Sequence, residues 1–108
     1  MARTKIVVQY NCEFEQVQNT INKILSSNGF KEITIKTGEN VWKKGTGMLT
    51  AMQFIKLEFS QKEFVIYAWV QMGLGDLGGS EMDLTGFVAA IPKKQLINII
   101  EQIKKAFC

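Results

Sequence analysis

The stretch that most constrains this chain runs from Ala51 to Phe59, through Ser60-Gln61-Lys62-Glu63, and on from Phe64 to Met72. Both of its arms alternate as β-strands, yet they carry apolar side chains on both faces. If the Ser60 to Glu63 loop closes a hairpin with Phe59 opposite Phe64, counting back two residues at a time sets the whole pairing. One face then holds Phe59–Phe64, Leu57–Ile66, Ile55–Ala68 and Gln53–Val70. The other holds Glu58–Val65, Lys56–Tyr67 and Phe54–Trp69. Antiparallel sheets commonly bury one face and leave the other wet. Here the second face is aromatic where water is expected, and the rest of the chain reads as a cover for one face or the other.

The flanking elements follow from periodicity. Thr4 to Tyr10 alternates as a strand with Ile6, Val8 and Tyr10 on one side. Asn11 is placed to cap a helix from Cys12 to Asn28, with Glu13 and Glu15 at its positive end. Phe14, Val17, Ile21, Ile24 and Leu25 repeat there at helical spacing, and Gly29 supplies the stop. Phe30 to Thr37 returns as a strand, with Ile33 and Ile35 directed to the core and Glu32, Thr34 and Lys36 outward. A short strand fragment, Val41 to Lys44, lies between glycine turns before the hairpin. After it, Leu84 to Ala90 reads as a last edge strand. Pro92 then opens a helix with the stripe Leu96, Ile99, Ile100, Ile103 and Phe107, and Glu101 is spaced to pair with Lys105. The expectation is an α+β fold of order β-α-β-β-β-β-α, an antiparallel sheet of four to six strands with both helices on one face. Its 108 residues form a single domain, 1–108, with no room for a second core.

Composition narrows the chemistry. The chain contains no histidine, which removes the commonest general base and the commonest metal ligand. Thirteen basic residues against ten acidic ones give a net charge of +3, scattered rather than gathered into the stripe that nucleic acid demands. Cys12 and Cys108 lack the spacing of a metal site and read as free thiols of a reducing compartment. No leader-like or membrane-spanning apolar run is visible, so a cytoplasmic location is expected.

Several motifs invite a sharper reading. Gly73, Gly75 and Gly78 spell G-x-G-x-x-G, but no parallel strand–helix crossover has room to follow, so a dinucleotide site is excluded. With Gly79 they read instead as a loop or lid. Asp76, Glu81 and Asp83 lack the spacing of a calcium loop. Cys12 before a helix has no histidine to serve as its base. Lys43, Lys44 and Lys56 near Trp42, Tyr67 and Trp69 resemble a sparse single-strand nucleic-acid platform. The strongest candidate site is the second hairpin face, Trp69, Tyr67, Phe54 and Met52 with Trp42 and Lys56, since a large exposed apolar patch marks a partner or ligand surface.

The order of elements resembles the TATA-binding-protein-like and helix-grip folds, in which a curved antiparallel sheet wraps a C-terminal helix. The stretches Gly38-Glu-Asn-Val-Trp42-Lys-Lys-Gly45-Thr-Gly47, Ala68-Trp69-Val-Gln71, and Asp83-Leu-Thr-Gly86-Phe87 to Ile91-Pro92-Lys93-Lys94 are similar to those of a small uncharacterised bacterial domain family. Some members of that family carry an adjoining zinc ribbon or hydrophobic segment, and this chain shows neither. The resemblance implies no activity and no functional residue. The expected function is a non-catalytic binding or interaction module, without cofactor or metal, that binds an apolar or lipid-like molecule or forms a homodimer. The alternatives are a small enzyme with an acid–base pair such as Glu81 or Asp83 beside Tyr67, or a weak single-stranded nucleic-acid binder.

Overall fold

The computed structural model describes residues 3–35, 37–45, 52–71 and 90–107. They form β1 (Thr4–Gln9), α1 (Phe14–Ser27), β2 (Lys31–Thr34), β3 (Asn40–Lys44), β4 (Met52–Ser60), β5 (Glu63–Gln71) and α2 (Ala90–Ala106). The five strands make one sheet of order β1-β5-β4-β3-β2, antiparallel at every pairing. The α+β class and the element order are those expected from the sequence.

The hairpin β4–β5 is the centre of the sheet, and its register is the one that counting from Phe59–Phe64 gives, through Leu57–Ile66, Ile55–Ala68 and Gln53–Val70. The turn is tighter than a four-residue loop. Ser60 still pairs with Glu63, and only Gln61 and Lys62 lie outside the ladder. Lys62 takes φ 64°, a left-handed conformation that favours glycine. Its carbonyl accepts the Tyr10 N–H at 3.0 Å, and the Tyr10 hydroxyl donates to the Ser60 carbonyl at 3.1 Å, so the end of β1 is tied to the turn.

On one face both helices cover the sheet. Val17, Ile21 and Leu25 of α1 and Leu96, Ile99, Ile100 and Ile103 of α2 share a buried cluster with Val8, Ile55, Phe64, Ile66, Ala68 and Val70. The helix start differs from expectation. Asn11 does not cap α1; Glu13 occupies the N-cap without a side-chain bond, and the helix begins at Phe14, whose ring meets Phe59 edge-on at 5.1 Å. The stop at Gly29 is as expected, at φ +88°. The Gly29 N–H donates to the Ser26 carbonyl and the Phe30 N–H to the Leu25 carbonyl, which satisfies two of the last carbonyls of α1. Asn28 Nδ2 donates to the Ile24 carbonyl and to Gln102 Oε1, joining the end of α1 to α2. On α2, Glu101 pairs with Lys104 at 3.4 Å rather than with Lys105.

Several further placements depart from the sequence expectation. The strand expected over Phe30 to Thr37 is confined to Lys31–Thr34, and Ile33 and Ile35 point away from the helices. Trp42 pairs with Ile55 and therefore joins the helix-side core. The edge strand expected over Leu84 to Ala90 falls on residues 84–89, outside the described residues, and Ala90 itself opens α2, which puts Pro92 at the third helical position instead of the first. Among the described residues two polar side chains are buried, Lys93 of α2 and Gln53 of β4. Gln53 is buried, its Nε2 donates to Gln95 Oε1 at 3.0 Å, and its own Oε1 has no partner.

Candidate interaction surface on the outer face of the sheet

The sheet face turned away from the helices is built in rows, because register stacks alternate residues of neighbouring strands side by side. Phe54 lies beside Trp69, with Lys43 on the far side of Phe54. The next rows are Lys5–Tyr67–Lys56, Val7–Val65–Glu58 and Gln9–Glu63–Ser60.

The aromatic end of this face is a second core. Phe54 and Trp69 stack with ring centroids 5.2 Å apart and planes within 8° of parallel. They are buried together with Val41 and Met52, and Ile33, Ile35 and Tyr67 pack around them. Trp69 keeps 1% of its surface in water and Met52 2%. The residues expected to form an open apolar ligand surface are therefore largely closed off from solvent. Of the six candidate residues, Trp69, Tyr67, Phe54, Met52 and Lys56 lie on this face, whereas Trp42 lies on the other. Gly73, Gly75, Gly78 and Gly79 fall outside the described residues, as do Asp76, Glu81 and Asp83.

A charged clasp sits over the aromatic core. Arg3 places its guanidinium 3.8 Å from the Trp69 ring centroid, where ring quadrupole and cation attract. Its Nη1 and Nη2 each donate to a different oxygen of Glu39 at 3.0 Å, the bidentate geometry that suits a planar guanidinium. Lys56 Nζ donates to Glu39 Oε2 at 2.7 Å, lies 3.2 Å from Glu58 Oε2 and sits 6.0 Å from the Tyr67 ring. Thr37 Oγ1 donates to Glu39 Oε1 at 2.8 Å. The Arg3 guanidinium, then the Lys56 ammonium and the Thr37 hydroxyl, hold the Glu39 carboxyl well below its usual range. The same Glu39 carboxylate raises the Lys56 ammonium above its ordinary value.

Arg3 and Glu39 were not singled out by sequence reasoning, since 36 residues separate them. The available signal was Lys56: one lysine among apolar strand residues calls for a carboxylate close by. Beyond the clasp the face opens to water. Val7 is 52% exposed, the half-buried Val65 is beside it, and Lys5 and Gln9 flank it on β1.

Elsewhere, a shallow groove of about 300 Å³ lies between the start of α1 and the end of α2, lined by Asn11, Cys12, Gln16, Thr20, Ala106 and Phe107. Cys12 is a free thiol there, half-buried. Among the described residues no group of three or more His, Cys, Asp or Glu is arranged to hold a metal ion, and no helix is long and apolar enough to cross a membrane.

No protein-family model matches this chain, no curated protein matches it, and no solved structure matches it.

Proposed function

We propose that this domain is a non-catalytic binding and interaction module that works through the outer face of its sheet. The observation that carries the reading is the Val7–Val65 row, with Val7 exposed and Val65 half-buried, on a sheet face whose far end, beyond Tyr67, is a buried aromatic core. An exposed apolar row continuous with a buried aromatic core is the kind of surface that a partner covers. The burial of Phe54, Trp69 and Met52 moves the contact from those residues to Val7, Val65 and Tyr67. A contact of that shape is open and shallow, and suits a protein surface better than an enclosed small molecule. The nucleic-acid reading is disfavoured because the Lys56 ammonium beside the aromatic rings is taken up by Glu39 and Glu58.

The test is a titration with the apolar dye 1-anilinonaphthalene-8-sulfonate, run beside sedimentation velocity, on the native chain and on Val7→Glu. The native chain is expected to take up dye or to self-associate, and V7E to lose either behaviour while melting at nearly the same temperature. A native chain that shows neither, or a V7E variant that behaves as the native chain does, overturns the reading.

A further inference from the structure

We infer that the partner of this face is a second copy of the same chain, docked face to face about a two-fold axis that runs along the Val7–Val65–Glu58 row. The inference rests on the interaction reading above and adds the identity and orientation of the partner.

The argument is one of charge order along the strands. Three consecutive rows of the outer face read Lys5–Tyr67–Lys56, then Val7–Val65–Glu58, then Gln9–Glu63–Ser60. One flank of the apolar row is therefore basic and the other acidic. Lys56 and Glu58 are 3.2 Å apart and neutralise each other within the chain. Lys5 and Glu63 have no such ion pair among the described residues, so they set the polarity of the face. An isologous interface requires that a surface complement itself under a two-fold rotation. Rotation about an axis across the strands, along the valine row, exchanges the two flanks and leaves each strand above its own copy. The valines of the two copies then meet at the centre, and at the end of the row Glu58 meets Glu58, each carboxylate offset by the Lys56 ammonium 3.2 Å away in its own chain. Lys5 of each copy comes to lie above the Gln9–Glu63 row of the other, offset from Glu63 sideways by about one strand spacing (~4.8 Å) and across the gap of ~10 Å between stacked sheets, a separation that a lysine and a glutamate side chain can span together. The opposite orientation, with flanks in parallel, would set the basic Lys5 row over its own copy and the acidic Glu63 row over its own.

The contact is small, since three rows of three residues fall short of the roughly 1,200 Å² of total buried area typical of stable complexes, so the dimer is a weak one. Self-association is expected in the range of about 10 µM to 1 mM and is expected to weaken with salt, because the flanking pairs lie at the rim.

The test is sedimentation equilibrium across that range on the native chain, Lys5→Glu, Glu63→Lys and the double variant K5E/E63K, with circular dichroism to establish that all four are folded. Each single reversal turns two symmetry-related attractions into repulsions and is expected to weaken association roughly tenfold. The double variant restores the pairing with signs exchanged and is expected to return to within roughly threefold of the native chain. A native chain that stays monomeric throughout, or a double variant as weak as the singles, overturns the inference. If the chain is monomeric but takes up the apolar dye in a Val7-dependent way, the self-pairing fails and the interaction reading stands. If V7E changes neither dye uptake nor association, both fail.

Discussion

Replacing Glu39 by Gln removes one charge from a site where three side chains donate to a single carboxylate. Gln keeps the size and one acceptor oxygen but cannot receive Arg3 as a charged fork, and it takes the Glu39 charge away from the guanidinium that lies over Trp69. Hydrogen bonds to charged groups each contribute roughly 1.5–3 kcal/mol. The carboxylate keeps 20% of its side-chain surface in water and Lys56 retains Glu58, so screening and the surviving partner reduce the loss. The expected net cost is about 2 kcal/mol at pH 7, a fall in melting temperature of roughly 10 °C for a domain of this size. The dependence on pH follows from the sign of the shift. The folded chain holds Glu39 ionised well below its ordinary value of 4.5, so near pH 4 the unfolded chain binds a proton that the folded chain does not. The clasp therefore stabilises fully above the unfolded value and loses that contribution as pH falls toward the depressed folded value. Urea unfolding of the native chain and E39Q should show a gap at pH 7 that closes steadily with acidification. For Lys56, whose folded value is raised, the stabilisation is full below 10.5 and is lost only as pH rises through the raised value. A gap at pH 7 below about 0.5 kcal/mol, smaller than a single ordinary hydrogen bond, would refute this account of the clasp. So would a gap that persists undiminished at pH 2.

Other perturbations address the rest of the fold. Phe54→Ala is expected to cost about 3–5 kcal/mol, as large as a helix-side core truncation, because Phe54 stacks on a buried Trp69; a loss under about 1 kcal/mol in urea unfolding would show the second face to be surface. Lys62→Gly relieves a left-handed residue in the hairpin turn and should raise the urea midpoint, by up to ~1 kcal/mol in stability, whereas a lowered midpoint would count against strain there. Gln53→Met removes a buried oxygen without a partner and should leave stability unchanged or higher, since Gln95 lies exposed and water can replace its lost donor; a loss above about 2 kcal/mol would mean that the amide is satisfied in solution. Gly29→Ala should cost about 1–2 kcal/mol through its φ of +88° alone, because an added Cβ would meet only Lys44 Cε at 3.6 Å; an unchanged melting temperature would refute that reading.

The hairpin register was legible because period-two alternation, once anchored at Phe59–Phe64, leaves no freedom along either arm. The Gly29 stop was legible because only a residue tolerant of positive φ fits that position. Alternation is silent, however, about which side of a strand faces a helix. That is why Ile33 and Ile35 were assigned to the helix layer and Trp42 to the outer face, when register places each on the opposite side. Asn11 has the right chemistry for a cap and stands too early, since Phe14 is the first helical residue and Glu13 takes the cap position without a side-chain bond. The candidate site was half legible. Aromatic residues on a nominally wet face announce that something covers them, but not what. The answer includes an arginine and a glutamate brought together only by the sheet, which no local pattern encodes.

Two apolar faces also leave a hairpin with an ambiguity in alignment. If β4 slid one residue along β5, much of what it turned toward either side would still be greasy, and hydrophobicity alone would hardly object. Lys56 and Glu58 break that tie. In a slipped pairing both would rotate beneath the helices, beside Ile66 and Ala68, where an ion far from water is costly unless paired. The clasp that joins Lys56 to Glu39 and Arg3 thus acts as a key as well as a fastening: it rewards one alignment of the central hairpin and penalises its nearest competitor.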